Sequence, residues 1–159
     1  MSKATTDLSD AYGDGLRILA PMFLDYGGRR SFSGPVVTVK VFEDNTRVRE
    51  ALSETGDGRV LVVDGGGSLR CALLGDNLAA MARDNGWSGI VVYGCIRDSG
   101  EIRELDIGVK ALNVHPRRSE KRGEGERDVA VTFAGVTVRP GEWLYADEDG
   151  VVVAREALD

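Results

Sequence analysis

Residues 60–94 read VLVVDGGGSLRCALLGDNLAAMARDNGWSGIVVYG, and this stretch decides the fold. It opens with the apolar run Val60–Val63, which is typical of a buried strand that ends at a glycine-rich turn. Apolar residues at helical spacing then predict a helix over Asp76–Asn85, and a second buried strand is predicted over Gly89–Gly94. Strand, helix and strand at these spacings make a parallel, right-handed βαβ unit.

Short elements are predicted on both sides of this unit. Those upstream are a helix over Thr6–Tyr12, a strand over Pro35–Phe42 and a helix over Asn45–Ser53. Apolar runs separated by Gly and Pro turns follow downstream, over Ile107–Leu112, Val129–Phe133, Val136–Val138, Trp143–Ala146 and Val151–Ala154. With no repeat or linker, we predict one domain over residues 1–159. Its expected class is α/β, with layered mixed sheets, a parallel βαβ core and a β-rich C-terminal half.

The charge of the chain argues against nucleic acid as a direct partner. The net charge is −6, which gives no electrostatic footprint for phosphates. The basic cluster Arg117–Arg122 is interleaved with glutamates and is interpreted as a solvated loop. A small molecule or a protein is the favoured partner.

Other bulk features point to a cytoplasmic protein that is not in a membrane. No apolar run approaches the roughly 20 residues of a membrane span, and Met1–Asp7 contains no stretch suited to a secretory signal. Cys71 and Cys95 are interpreted as small buried hydrophobes, because two cysteines form no disulfide framework here. His115 is interpreted as a surface or interface residue.

Three features of the βαβ unit meet at one rim, because ligands gather beyond the carboxyl ends of parallel strands. The helix opening at Gly75-Asp76-Asn77-Leu78 presents free backbone N–H groups that suit an anion. Arg97 and Asp98 stand just past the second strand. Because one helix, one turn and one strand separate Asp76 from Arg97, the topology brings both ends together.

Each residue at this rim has a chemical use. The Arg97 guanidinium can hold a carboxylate and stabilise an oxyanion. Asp98 offers a hard oxygen ligand for magnesium or manganese, with waters and substrate oxygens completing the coordination. Asp76 can position a water and pass protons through it.

Simpler interpretations of the same residues stand beside these. Asp76 could be only a helix N-cap. Arg97 and Asp98 could form an ordinary surface ion pair worth about 0–1 kcal/mol. The turn at Gly65-Gly66-Gly67 lacks the GK[ST] ending of a phosphate loop and is predicted to be a tight turn.

Several motifs give the chain a strong resemblance to a known family. They are Asp25-Tyr26-Gly27-Gly28-Arg29, Phe42-Glu43-Asp44-Asn45, Val60 to Arg70, Leu105-Asp106-Ile107-Gly108 and Tyr145 to Gly150. Together they resemble the regulator of ribonuclease activity A, whose family is similar to the metal-dependent 4-hydroxy-4-methyl-2-oxoglutarate aldolases. The resemblance covers nearly the whole chain. It implies a β/β/α swivelling-type fold and a ring-shaped homotrimer.

The resemblance also implies roles for the rim residues. An Asp, twenty intervening residues and an Arg-Asp pair mark the active branch of the superfamily, and Asp76, Arg97 and Asp98 fill those positions. It implies that Gly75 to Leu78 and Arg97 contact the substrate, that Asp76 and Arg97 are catalytic, and that Asp98 binds the divalent metal. Some ribonuclease regulators of the family lack the aspartate that corresponds to Asp98.

The function implied is a lyase that cleaves the C3–C4 bond of 2-oxo dicarboxylic acids through a pyruvate enolate. Its substrates would be 4-hydroxy-4-methyl-2-oxoglutarate, by aldol cleavage, and oxaloacetate, by decarboxylation. Because the chain ends at Asp159, without the C-terminal extension of the full aldolases, decarboxylation is the stronger expectation.

The alternative function is non-catalytic inhibition of a ribonuclease such as ribonuclease E, with which the acidic charge is compatible. A methyltransferase label has also been attached to this family. No glycine-rich cofactor motif after the first strand supports it.

Overall fold

A computed structural model describes residues 3–158 of the chain. The residues at Met1 and Asp159, which the sequence interpretation used, lie outside this range. The helices are α1 (Thr5–Tyr12), α2 (Thr46–Leu52), α3 (Asp76–Asp84) and α4 (Ser99–Ile102), with a 3-10 helix at Gly13–Gly15. The strands are β1 (Arg17–Ile18), β2 (Leu24–Asp25), β3 (Phe32–Lys40), β4 (Val60–Asp64), β5 (Ala72–Leu74), β6 (Gly89–Ile96), β7 (Gly108–Val114), β8 (Glu126–Arg127), β9 (Val131–Phe133), β10 (Val136–Val138), β11 (Trp143–Asp147) and β12 (Gly150–Ala154).

The strands of the described residues form one large mixed sheet and one hairpin. The large sheet has ten strands with the path β1-β12-β11-β3-β4-β6-β7-β2, to which β5 adds beside β6 and β8 beside β3. Its centre is parallel, from β3 through β4 and β6 to β7, whereas both flanks are antiparallel. The hairpin joins β9 and β10. The predicted parallel core with a β-rich C-terminal half is confirmed.

The central strands are buried on both faces, which explains their continuous apolar runs. Leu61 and Val63 of β4 face a core beneath α2 and α3, whereas Val60 and Val62 face a second core beneath the C-terminal strands. Helices therefore cover one face of the sheet and strands cover the other. This is the layered β/β/α arrangement that was predicted.

Several strand boundaries differ from the prediction by one to three residues. The strand predicted over Pro35–Phe42 lies over Phe32–Lys40, and Phe42 is exposed. The Phe32 ring fixes the strand start because it packs directly over Gly89 and Gly108, where an added Cβ would lie 2.3 and 2.1 Å from ring carbons. The second strand of the βαβ unit runs to Ile96 and not to Gly94.

The sequence analysis missed strand β5. It lies between β4 and α3 and pairs in parallel with β6, so α3 follows β5 and does not come directly from the turn after β4. The strand is only three residues long and fully buried. A run this short carries no periodicity that distinguishes it from a loop.

Several smaller predictions are also settled. Cys71 and Cys95 are buried and free. The glycine turn after β4 is tight, with Gly66 and Gly67 in the left-handed region. Among the described helices, none is long and apolar enough to cross a membrane.

Candidate active site

Strands β5 and β6 end side by side, and the residues that follow them form the candidate site. Leu74 pairs with Ile96 in the parallel ladder, and the backbone N–H of Arg97 donates to the carbonyl of Leu74 at 2.9 Å. Gly75 and Arg97 therefore leave the sheet at the same edge. The cleft at this edge has a volume of about 110 Å³. All six predicted residues line it: Gly75, Asp76, Asn77, Leu78, Arg97 and Asp98.

The opening of α3 is organised differently from the simple N-cap interpretation. Gly75 occupies the N-cap and Asp76 is the first helical residue, so the prediction that Asp76 could cap the helix is wrong. The backbone N–H of Asp76 donates instead to Oδ2 of Asp98 at 3.1 Å. The Leu78 side chain is buried, so that residue can offer a ligand only its backbone.

Asp98 itself adopts an unusual backbone conformation. Its φ of 60° and ψ of 41° place it in the left-handed region, at the N-cap of α4. Asp tolerates this conformation better than most residues do. The side chain is exposed at the rim and points an oxygen at the start of α3.

The carboxyl groups of Asp76 and Asp98 lie close to each other. A side-chain hydrogen bond to Asp98 raises the pKa of Asp76, and partial burial and the charge of Asp98 raise it further. Two neighbouring carboxylates repel each other when both are ionised. A proton or a cation at this point would relieve it.

The guanidinium of Arg97 is available to a ligand. Within the described residues, its side chain makes one hydrogen bond, a long one from Nη1 to the carbonyl of Pro116 at 3.4 Å. No ion pair joins it to Asp98 in the described chain, so the surface ion-pair interpretation is wrong. The half-buried position strengthens its interaction with an anion relative to a fully solvated arginine.

The residues present at the rim fit a divalent cation. Carboxylate oxygens are the ligands that magnesium and manganese prefer, and Asp98 with Asp76 beside it supplies them. Within residues 3–158, no three His, Cys, Asp or Glu side chains form a group that could hold a metal. Gly75 keeps the space next to Asp98 open, since a Cβ there would lie 2.8 Å from Oδ2 of Asp98.

Gly75 gives a prediction for this space. Gly75→Ala should displace the Asp98 carboxylate. Any catalytic rate that depends on this carboxylate should then fall at least about tenfold, because a loss of 1.36 kcal/mol of transition-state stabilisation already gives that factor. The melting temperature should change little, because the φ of Gly75 is −123°. Gly100→Ala is the matched control, since an added Cβ there meets nothing within 4 Å. Full activity of Gly75→Ala would show that Asp98 does not need its observed position.

A second wall of the cleft was not predicted from the sequence. Its members come from the start of α2 and from the loop before β8: Asn45, Arg49, Arg118, Ser119 and Lys121. The interpretation of residues 117–122 as a solvated loop is confirmed for all of them except Ser119, but the loop also lines this cleft. Ser119 is buried, and the loop makes isolated bridges to Asp44 and Ala72. The mixed basic and acidic residues of this loop form no sequence pattern from which the packing could be predicted.

Asp44 holds this wall together. It is fully buried and accepts hydrogen bonds from the hydroxyl and the N–H of Thr46, and from the N–H groups of Arg122 and Glu124. Burial alone would raise the pKa of Asp44, but these hydrogen bonds outweigh it and lower the pKa to about 2. The ionised carboxylate thus ties α2 to a loop 78 residues away.

Asp44 gives a prediction for acid stability. Its folded pKa lies below the ordinary 3.8, so its contribution is complete above pH 3.8 and is lost as the pH falls towards 2. The shift corresponds to about 2 kcal/mol. Asp44→Asn should therefore lower the free energy of unfolding by about 2 kcal/mol at pH 7, measured by urea denaturation. The difference between the variant and the wild-type protein should become smaller below pH 3.8. Asp10→Asn, an exposed change of the same chemistry, is the control. A deficit that is unchanged at pH 2.5 would contradict this linkage.

Fold and site together define a layered β/β/α protein with a polar cleft at the carboxyl ends of its parallel strands. The RraA-like family model (Aldolase/RraA) matches residues 5–153. The chain belongs to this family.

Comparisons with individual proteins agree with this assignment. A relative from Alkalilimnicola ehrlichii, provisionally named 4-hydroxy-4-methyl-2-oxoglutarate aldolase, is 69% identical over 99% of this chain and 98% of its own length. A structure from Geobacillus kaustophilus, named as an S-adenosylmethionine:2-dimethylmenaquinone methyltransferase, is 52% identical with a TM-score of 0.97, covering 98% and 97% of the two chains. The RNA-processing inhibitor RraA from Thermus thermophilus is 51% identical with a TM-score of 0.96, covering 100% and 96%.

Proposed function

We propose that the protein is a divalent-metal-dependent lyase that cleaves the C3–C4 bond of 2-oxo dicarboxylic acids. The observation that carries the proposal is the meeting of Asp76, Arg97 and Asp98 in one cleft at the opening of α3. The aldolase name of the close relatives supports the same reaction class. The candidate reactions are aldol cleavage of 4-hydroxy-4-methyl-2-oxoglutarate and decarboxylation of oxaloacetate.

The residues of the cleft divide the work of binding and catalysis. The opening of α3 at Gly75 to Leu78 binds the C1 carboxylate at the positive end of the helix, through amides other than that of Asp76, which donates to Asp98. Arg97 stabilises the negative charge that develops on the 2-oxo oxygen as the C3–C4 bond breaks. Asp98 holds a magnesium or manganese ion, which when bound supplies Lewis-acid stabilisation of the same charge. Asp76 orients a water and returns a proton to C3, which completes pyruvate.

Pyruvate release provides the direct test of this function. The purified protein would be given each substrate with magnesium, with manganese and with EDTA, and rates would be corrected for metal-catalysed decay. We expect turnover that EDTA abolishes and added metal restores. A rate no higher than that of the free metal, in a folded protein, would overturn the proposal.

A homotrimer is part of the proposal, and light scattering should give three times the chain mass. A dimer or monomer at micromolar concentration would contradict it.

Ribonuclease binding is the second candidate. The net charge of −6 and the 51% identity to an RNA-processing inhibitor favour it. Surface-immobilised ribonuclease E would be titrated with this protein at low and high salt. Binding that weakens with salt would support the role, and the absence of binding at low salt would exclude it.

A further inference from the structure

The cleft carries more positive than negative charge. Its lining contains four cationic side chains and two carboxylates, although the whole protein has a net charge of −6. Arg97, discussed above, is one of the cations. The other three come from α2 and from the loop before β8, which form the second wall: Arg49, Arg118 and Lys121. An excess of cations in a small concave site raises the local concentration of anions.

These three side chains have no partner among residues 3–158. No hydrogen bond or ion pair is formed by the side chain of Arg49, Arg118 or Lys121 in the part of the chain that the structure describes. Some arginines elsewhere in the fold are closely paired, as in Arg70 with Glu43 at 2.6 Å and Arg127 with Glu54 at 2.8 Å. The cations of this wall are therefore free to bind an anion from solution.

Buried polar atoms give a second, independent sign of a ligand. Asn45 and Ser119 line the same wall with exposed fractions of only 8% and 6%. Oδ1 of Asn45 and Oγ of Ser119 have no hydrogen-bond partner in the described part of the chain. Buried polar groups are nearly always paired in folded proteins, so unpaired ones at a cleft suit a bound molecule. Ser119 can donate to a carboxylate, and Asn45 can accept from a hydroxyl group.

We infer that Arg49, Arg118, Ser119 and Lys121 form a subsite for the distal carboxylate of the substrate. The inference rests on the proposed function, which places the 2-oxo acid head at Arg97 and the opening of α3. Because both walls line the same small cleft, the tail of a 2-oxo dicarboxylate then reaches the second wall. A substrate with a hydroxyl group at C4 would also offer that group to Asn45.

The subsite favours aldol cleavage over decarboxylation. In aldol cleavage the C3–C4 electron pair moves to the enolate, the 4-hydroxyl loses its proton as the new carbonyl forms, and C3 gains a proton. The two protons balance through water, and the distal carboxylate keeps its charge throughout. In decarboxylation of oxaloacetate that carboxylate becomes neutral carbon dioxide, so cations that bind it stabilise the ground state more than the transition state. The cationic wall therefore favours aldol cleavage, whereas the sequence led us to expect decarboxylation to be the stronger activity.

Binding of two matched ligands tests the subsite. 2-Oxoglutarate and 2-oxopentanoate share the 2-oxo acid head and a five-carbon chain, and only the first has a distal carboxylate. With magnesium present, calorimetry should show 2-oxoglutarate binding at least about tenfold more tightly, as expected for charge-assisted hydrogen bonds. The double variant Arg118→Gln with Lys121→Gln should bring the ratio close to one. Arg122→Gln, which removes a neighbouring cation that does not line the cleft, should keep it.

The outcomes separate the subsite from the proposed function. Equal affinity of the wild-type protein for both ligands would overturn the subsite and leave the lyase proposal intact. Failure of both to bind would count against the lyase proposal itself, and the subsite would fall with it. In turnover, the double variant should lose at least about tenfold in kcat/KM for 4-hydroxy-4-methyl-2-oxoglutarate and keep its kcat for oxaloacetate. An equal fall in kcat for both substrates would also overturn the subsite.

Discussion

Asp98→Asn is expected to reduce metal-dependent turnover by at least about 10³-fold. A bound metal contributes several kcal/mol to stabilising the developing oxyanion, and each 1.36 kcal/mol is a factor of ten. Asn keeps the size of the side chain and can still accept the hydrogen bond from the N–H of Asp76. It also tolerates the left-handed backbone of residue 98 better than alanine does. The loss of turnover in Asp98→Asn would therefore be caused by the missing negative charge and not by a distorted loop.

A metal titration makes this prediction independent of the assay. Manganese binding, followed by its paramagnetic signal, should be at least about tenfold weaker in Asp98→Asn than in the wild-type protein. Asp106→Asn is the control, because Asp106 is exposed and paired only with Arg29. Unchanged manganese affinity with retained magnesium activation would show that the metal binds elsewhere. The more disruptive Asp98→Ala should give the same loss of turnover together with some loss of stability.

Arg97→Ala is expected to lower kcat by about 10²–10³-fold, the range found when one oxyanion donor is removed. The physical reason is that the guanidinium has no strong partner in the protein, so its donors are free for the charge that develops in the reaction. Arg97→Lys should recover part of the rate, since an ammonium supplies charge without the planar fork. Metal affinity should stay within a factor of a few of the wild-type value.

Steady-state kinetics and the melting temperature would be measured together for the Arg97 variants. Arg83→Ala is the matched control, because Arg83 lies on α3 but pairs only with the adjacent Asp84. A rise in KM with unchanged kcat would mean that Arg97 only holds the substrate. Wild-type turnover in Arg97→Ala would remove its assigned role altogether.

The sequence by itself determined the central unit and the rim that carries the candidate site. Val60–Asp64 and Gly89–Ile96 are continuous apolar runs, and α3 has helical periodicity, so local patterns were sufficient. Parallel topology then required the residues after β6 to stand near the opening of α3. Asp76, Arg97 and Asp98 could be grouped from the sequence alone, because the carboxyl ends of parallel strands lie at the same edge of a sheet.

Only the tertiary structure decided the rest of the cleft. Strand β5 carries no periodicity, and the start of β3 depends on glycines far along the chain that leave room for the Phe32 ring. The cationic wall depends on the buried Asp44, which joins α2 to the loop at Arg122 through backbone hydrogen bonds. Such contacts are made between segments 78 residues apart and leave no local pattern, because any sequence with N–H groups can donate them. The sequence therefore located the candidate residues at the opening of α3, whereas long-range packing formed the cationic wall of the same cleft.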